Sequence, residues 1–585
     1  MPSLFKKPNF NQPNHHNGFD MSMRRLFTAP PGMLLPVYCD IANANDKYKL
    51  NTAAFIRTEA VNTAAFQNFK VHFDWFFVPF RQMYRYFSEF YNGVFDANDN
   101  FVKTSDKFAL PYQTLNLSQQ QVRGNDDYFD EATGQPLVDE FGVAKLCNAL
   151  RLSDLLGYGT PNEGANEVPP PAEVNYMYKI FPYKYLAYHK IFYSHYNKTD
   201  WQERDTYMFN VDSYHGSTIP LGVFEQIINT IHYRPYRHDY FTSIKPSPVF
   251  NTSFSSIVGD SYLRSAGAQP GSAFYVPESP WSQRVVNGVT PGQPGDYPQL
   301  EPVDDENQPV LTANAIKSLF NFDKLCRITG LAGAHYTEQM RAHFGVDINN
   351  DIHDEAYFIG SQSVDLSISE VVATATTDAK GDGTTLGDIA GKGFGVSRDS
   401  KDLSYFCREQ GVIMCIASIE PLQMYSSIGV ERNGLYKEPF DFYRVEMDNL
   451  GMQPSTNSEL VGPGKPATLD GYQYRYSELK TKVDIVNAGF WNGTRSPWQC
   501  NFQDSIHKNV ANRAWRFYIN PSYCDSIFRQ VFLPDYAYDV NNSPYFPGEF
   551  ASNEAMYLGD NFLCNVYFKV YKDSLMSVHS LPQLI

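Results

Sequence analysis

The chain has 585 residues, and 43% of them are hydrophobic, which is enough to bury a large core and too much for a disordered polypeptide. Its 64 Asp and Glu against 48 Lys and Arg give a net charge of −16, which excludes a surface that grips nucleic acid all over but leaves room for a local basic patch. Only 19% of residues are charged, whereas Phe and Tyr number 43 and 40, a balance that favours strands and large buried contacts.

Residues 1–28 are polar, rich in Asn and Pro and without hydrophobic period, and are expected to form an extended basic arm. Lys6, Lys7, Arg24 and Arg25 stand there against Asp20, opposite in sign to the chain as a whole. Phe69, Val71, Phe73 and Trp75 alternate with Lys70, His72 and Asp74, which predicts a half-buried antiparallel strand. A first insertion is expected at about 97–180, where an acidic cluster (Asp126, Asp127, Asp130, Glu131, Asp139, Glu140) and the run Pro169–Pro171 occur. Tyr185, Tyr188, Phe192, Tyr193 and Tyr196 fall at helical spacing and predict a helix over 183–197. Residues 249–310 hold eight Pro and six Gly, a density that blocks helix interiors and central strands and predicts a second surface insertion. A helical segment follows over 311–345, with Thr312 as N-cap, Ile316, Leu319 and Phe320 on one face, and Gly345 as its stop. Phe562, Cys564, Val566, Phe568 and Val570 share a face of a last strand. This pattern of many strands and a few helices predicts a mainly β fold, a sandwich or jelly roll with large insertions.

The longest apolar runs, such as Trp75–Phe80 and Val412–Ile419, fall well short of the ~20 residues that span a bilayer, and the N-terminus lacks the apolar stretch of a secretory signal. No membrane insertion is expected. The eight cysteines are scattered without a C-x-x-C pair and are expected to be free buried thiols in a reducing cytoplasm. No metal-protease, nucleophile-elbow or Walker motif occurs. Gly387, Gly391 and Lys392 are followed by Gly393 where a phosphate-binding loop needs Ser or Thr. The spacing of Asp96, Asn98 and Asn100 resembles a calcium loop, but Phe101 replaces its glycine. No catalytic residue, metal site or cofactor is therefore assigned, and the chain is expected to be structural and not an enzyme.

Several short strings, in order, resemble the major capsid proteins of the microviruses, the small icosahedral single-stranded DNA phages, and especially their gokushovirus-like branch. They are Phe19–Ser22 (FDMS), Leu35–Asp40 (LPVYCD), Phe73–Arg81 (FDWFFVPFR), Leu186–Tyr196 (LAYHKIFYSHY), Tyr233–Pro248 (YRPYRHDYFTSIKPSP), Tyr336–Val346 (YTEQMRAHFGV), Phe440–Tyr443 (FDFY) and Gly471–Glu478 (GYQYRYSE). Tyr236 stands where that family usually has Trp, and the match weakens in 97–150, 249–310 and 373–400, which marks a divergent branch.

The resemblance implies an eight-stranded antiparallel jelly roll of the viral capsid type, formed by residues 29–585 behind the arm. It also implies self-assembly through pentamers into a T=1 icosahedral shell around a circular single-stranded DNA genome. The expected partners are other copies of the chain, the genome, a small basic DNA-packaging protein, a minor capsid or pilot protein and a host cell-surface receptor, with the 249–310 insertion as the threefold protrusion. The expected location is the virion, and the host cytoplasm during assembly. Lys6, Lys7, Arg24 and Arg25, on an arm facing the interior, are the candidate DNA contacts. Tyr233, Arg234, Tyr236, Arg237, His238, Tyr240 and Phe241 are candidates for subunit or genome contact, because interfaces favour aromatics and Arg. The alternative is a jelly-roll carbohydrate-binding protein or glycoside-active enzyme.

Overall fold

The structure is a computed structural model. It describes residues 16–59, 61, 65–92, 109–115, 137, 139–143, 145–159, 178–198, 200–201, 209–247, 264–265, 274–279, 282–286, 298–299, 313–333, 335–346, 355–372, 389–397, 401–448, 451–461, 469–491, 493, 495–500, 515–524, 527–528 and 560–578. Lys6, Lys7, the cluster Asp126–Glu131, the run Pro169–Pro171, Thr312 and most of 249–310 lie outside these residues.

Ten strands form one antiparallel sheet: β1 (Asn17–Asp20), β2 (Met23–Ala29), β3 (Leu35–Ala42), β4 (Lys47–Thr58), β5 (Phe69–Pro79), β6 (Tyr357–Val372), β7 (Ile389–Ser397), β8 (Leu403–Phe406), β9 (Gly411–Pro421) and β10 (Phe562–Ser574). Eight of them run in the order β1-β10-β4-β7-β6-β5-β9-β3, with β2 added to β10 and β8 to β4. β6 joins the halves: its residues 357–366 pair with β5 and its residues 367–372 with β7. The sheet curls so that its halves face each other. Phe568 of β10 meets Trp75 and Tyr38 with ring centroids 5.9 and 5.6 Å apart, and Phe562 meets Phe69 at 5.0 Å. The strands 69–79 and 562–574, almost 500 residues apart, thus close one sandwich, as the jelly-roll expectation requires.

The alternation of β10 is realised, with Phe562, Cys564, Val566, Phe568 and Val570 all buried. The half-buried assignment of β5 needs correction. Both its faces are covered, and His72 and Asp74 are buried as well as the aromatic residues between them. A helical layer causes this. α1 (Lys145–Leu156), α2 (Tyr183–Ile191) and α3 (Leu221–Asn229) pack on the side of the sheet away from the sandwich interior, where Arg234 and Tyr196 reach Asp74. The predicted helix over 183–197 is α-helical only to Ile191 and continues as a π-turn over Phe192–Tyr196. The segment expected at 311–345 is two helices, α4 (Ala313–Ala332) and α5 (Tyr336–Phe344). Gly345 ends α5 in the left-handed region, φ +67°. Short strands within 249–310 form two-stranded ladders apart from the main sheet. All eight cysteines are free.

Candidate subunit and nucleic-acid interfaces

Segment 231–245 crosses the helical side of the sandwich and stitches distant parts of the chain together. Its backbone bonds Leu34 and Gly32 near β3, then Phe517 and Ile519, then Tyr472. Its side chains continue the stitching. Arg234 Nη1 donates to Asp74 Oδ2 and Ser418 Oγ, each at 2.8 Å, and its guanidinium lies over the Tyr196 ring. Tyr196 donates to the same Asp74 oxygen at 2.6 Å. Burial pushes the Asp74 carboxyl up, but the Arg234 charge and hydrogen bonds from Ser361, Tyr196 and Arg234 outweigh it and hold the group below its ordinary value. Glu420 balances in the same way. Burial raises it, while His72 at 2.8 Å and the Arg234 and Arg237 charges bring it below the usual carboxylate range.

The candidates of segment 233–241 therefore divide. Tyr233 and Tyr236 are buried at 2% and 1% exposure, and Tyr233 donates to Asp139. Tyr240 is buried and donates to Glu459 at 2.6 Å, while Phe241 packs on Tyr425 with centroids 4.7 Å apart. Arg234 is half-buried in the ion pair above. Only Arg237 and His238 are exposed. Arg237 grips Glu420 at 2.7 Å, and His238 sits beside Lys198. Of the arm candidates, Arg25 turns inward, its Nη1 donating to Val37 O at 2.8 Å and its Nη2 to Asp154 O at 3.2 Å, which ties β2 to β3 and α1. Arg24 points outward over the Tyr567 ring. The second half of the arm is thus strand: β2 lies along β10 from Met23↔Phe568 to Ala29↔Phe562.

A cleft of about 590 Å³ opens beside this network, lined by Lys70, Arg237, Asp365, Glu420, Lys482 and Asp484 among others. A glycoside-cleaving acid needs a raised pKa. Glu420 has the reverse, because two cations and His72 hold it ionised. Among the described residues no group of three His, Cys, Asp or Glu side chains is arranged to hold a metal ion. No helix among them is long and apolar enough to cross a membrane.

The sequence did not point to the largest exposed apolar groups. Phe440, Phe442, Tyr443, Val445 and Leu479 stand out from the 425–486 region, each at least half exposed. Phe320, Leu325, Tyr336, Phe344 and Val346 are exposed on and just after α4 and α5. An isolated chain rarely shows so many. FDFY (440–443) carried part of the family resemblance, but its exposure could not be read from spacing.

A closed antiparallel sandwich with long excursions, internal locks and uncovered aromatics defines a structural, self-associating protein. The family described as Capsid protein (F protein) matches residues 12–130 and 160–542. The chain belongs to that family. It is similar to capsid protein VP1 of Chlamydia phage 1, 24% identical over 350 residues, which cover 57% of this chain and only half of that relative. It is also similar to capsid protein VP1 of Bdellovibrio phage phiMH2K, 23% identical over 519 residues, covering 84% of this chain and 83% of that protein. The resemblance to gokushovirus-type capsid proteins is borne out, and the role is that of a major capsid structural protein. Neither comparison supports the carbohydrate-active alternative.

Proposed function

We propose that the chain closes with its own copies, through pentamers, into a T=1 icosahedral shell around a circular single-stranded DNA genome, and that it turns over no substrate. The family match along both blocks of the chain carries this reading. The uncovered apolar side chains at 440–445, Leu479 and α4–α5 support it, since heterologous contacts that must close need such groups on the single chain and cover them in the assembly. With a net charge of −16 the chain cannot neutralise a genome alone, so a small basic DNA-packaging protein is its expected partner, together with a minor capsid or pilot protein. The arm 1–28 is proposed to face the interior. The 249–310 insertion, between segment 231–245 and α4, is proposed as the threefold protrusion that meets a host receptor. Assembly is placed in the host cytoplasm and the product in the virion.

Electron microscopy of the purified chain, alone and with circular single-stranded DNA and the packaging protein, tests the central claim. Closed particles holding nuclease-protected single-stranded DNA are expected. A chain that never closes even with these companions refutes the proposal. Exchange of 249–310 between related phages should move adsorption. Host range that stays with the rest of the shell refutes the attachment role.

A further inference from the structure

The outward face of the half-sheet β2-β10-β4-β7 is unlike the rest of this acidic chain. Strand parity sets its composition. In β4 the even positions Tyr48, Leu50, Ala54 and Ile56 fill the sandwich, so Lys47, Lys49, Asn51, Phe55 and Arg57 point away from it. In β10 the same rule turns Leu563, Tyr567, Lys569 and Tyr571 outward. β2 adds Arg24 and Leu26, and β7 adds Phe394 and Val396.

Register brings these groups side by side. Arg24 is opposite Tyr567, Lys569 opposite Asn51, Tyr571 opposite Lys49, and Phe394 opposite Arg57. The Arg57 guanidinium lies 4.6 Å from the Phe55 ring centroid, and that of Arg24 6.0 Å from the Tyr567 ring. Arg24, Lys47, Lys49, Arg57 and Lys569 are all exposed, and none has a carboxylate within ion-pair distance among the described residues. Three carboxylates share this face and are otherwise engaged: Asp20, opposite Tyr571, accepts from the Ser22 amide, Asp402 accepts from Asn51, and Asp573, opposite Lys47, holds His16. The chain pairs its buried cations, such as Arg151, Arg234 and Lys572, with acids, yet leaves these five free of them.

We propose that this face is a platform for single-stranded nucleic acid, with Arg24, Lys49, Arg57 and Lys569 meeting phosphates and Tyr567, Tyr571, Phe55 and Phe394 stacking on bases. The inference deepens the shell reading and rests on it, since it makes this face the one that lines the interior. Three features favour a single strand over a second protein. Cations interleaved with rings at sheet spacing match the alternation of phosphate and base in an unpaired strand. Outward side chains repeat about every 7 Å along each strand, so neighbouring nucleotides can each find a ring or a cation. A protein contact of this area would bury five unpaired charges at a desolvation cost, whereas phosphates neutralise them and release counterions.

The test uses the soluble full chain and labelled oligo-dT of about forty nucleotides, with affinity followed by anisotropy from about 50 to 300 mM salt. The double variant Lys49→Gln/Lys569→Gln should lower the log–log slope by about 1.4, at roughly 0.7 per lost phosphate contact. Tyr571→Ala should weaken binding about tenfold and leave the slope unchanged, because stacking releases no counterion. Lys437→Gln, exposed but on the 425–486 region, should change nothing. If wild type binds and the double variant keeps its slope, this face is not the platform, while the capsid reading stands on particle formation alone. No binding by wild type overturns the platform as well. If the double variant loses self-association without DNA, the face is a subunit contact and the inference is wrong. Thermal midpoints equal to wild type confirm that the exposed substitutions leave folding intact.

Discussion

Arg234→Met isolates the chemistry that fixes segment 231–245 to the sheet. It removes both hydrogen bonds of Nη1 at 2.8 Å and leaves Asp74, whose side chain is 6% exposed, with Tyr196 and Ser361 but no cation. Removing one partner of a buried pair costs about 3–5 kcal/mol, chiefly through the charge left behind. At roughly 2.1 cal/mol/K per residue, unfolding of the whole chain carries about 1.2 kcal/mol/K, so the midpoint should fall by about 3 °C. Asp74→Leu added to Arg234→Met takes away the stranded charge and should recover most of that loss. The pH dependence has a definite sign. In the native chain the Asp74 carboxyl is held below its ordinary value, so its contribution is present at neutral pH and lost as pH falls through the lowered value. In the variant, burial acts without Arg234 and the group protonates at higher pH, so the gap between the two proteins should narrow as pH falls toward about 4. Differential scanning fluorimetry with both variants across that range measures it. A single variant within about 1 °C of wild type, or a double variant no better than the single, refutes the reasoning.

Gly32 has φ +77°, and a Cβ there would lie 2.5 Å from Ile519 Cβ, so Gly32→Ala should cost about 3 kcal/mol by urea unfolding, against about 1 kcal/mol for Gly142→Ala, which has φ +84° and open space. His189 donates to Ile227 O at 2.7 Å, so its other nitrogen accepts from His232 at 2.8 Å, and burial holds the His189 imidazole down to about 4 and that of His232 well below its ordinary value. The unfolded chain therefore takes up protons first, and stability should be full above about pH 6.5 and drop by about 3 kcal/mol from His189 alone as pH falls towards 4, a slope that His189→Gln/His232→Gln should flatten. Arg151 and Asp560, paired at 2.9 Å with almost no exposure, join α1 to the start of β10, and Arg151→Met should cost about 3–5 kcal/mol in the same assay. Burial pushes the thiols of Cys39, Cys147 and Cys407 up to about 12, so an aromatic disulfide reagent near pH 8 should label Cys326 on α4 well ahead of them.

The strands legible in the sequence were those with one face against the sandwich interior and the other uncovered. β10 has this form, and its period of two needs no tertiary information. β4 has the same form in the structure, but Thr52 on its inner face and Phe55 on its outer face blur the period of KYKLNTAAFIRT and hide the strand, with its outward Lys47, Lys49 and Arg57, from the sequence. The basic residues of 1–28 drew attention by local charge instead. That signal cannot separate Arg24 from Arg25, because neighbours on a strand point to opposite faces. β5 misled because the polar half of its alternation faces partners from elsewhere in the chain. Lys70, His72 and Asp74 read as solvent positions, yet Arg234 and Glu420 come from 160 and 348 residues away to meet two of them. The same distance explains segment 233–241. Its mixture of Tyr and Arg has the composition of an interface, and it serves as one between parts of a single chain.

That composition has a wider consequence for an acidic protein. Tyr196 donates to Asp74, Tyr233 to Asp139, Tyr240 to Glu459, Tyr425 to Asp239 and Tyr436 to Glu478. In each pair burial keeps the phenol protonated, pushing its pKa above the ordinary value, so it remains a donor at any physiological pH. A phenol ring also brings more apolar area than a Lys or Arg head group and needs less desolvation. Tyr thus shares with the buried cations the work of holding carboxylates, and does so without adding charge. The abundance of Tyr and the acidic balance are then linked: neutral phenols supplement the Arg and Lys that hold buried carboxylates, and among the described residues five exposed Lys and Arg without an ion-pair partner gather on one sheet face.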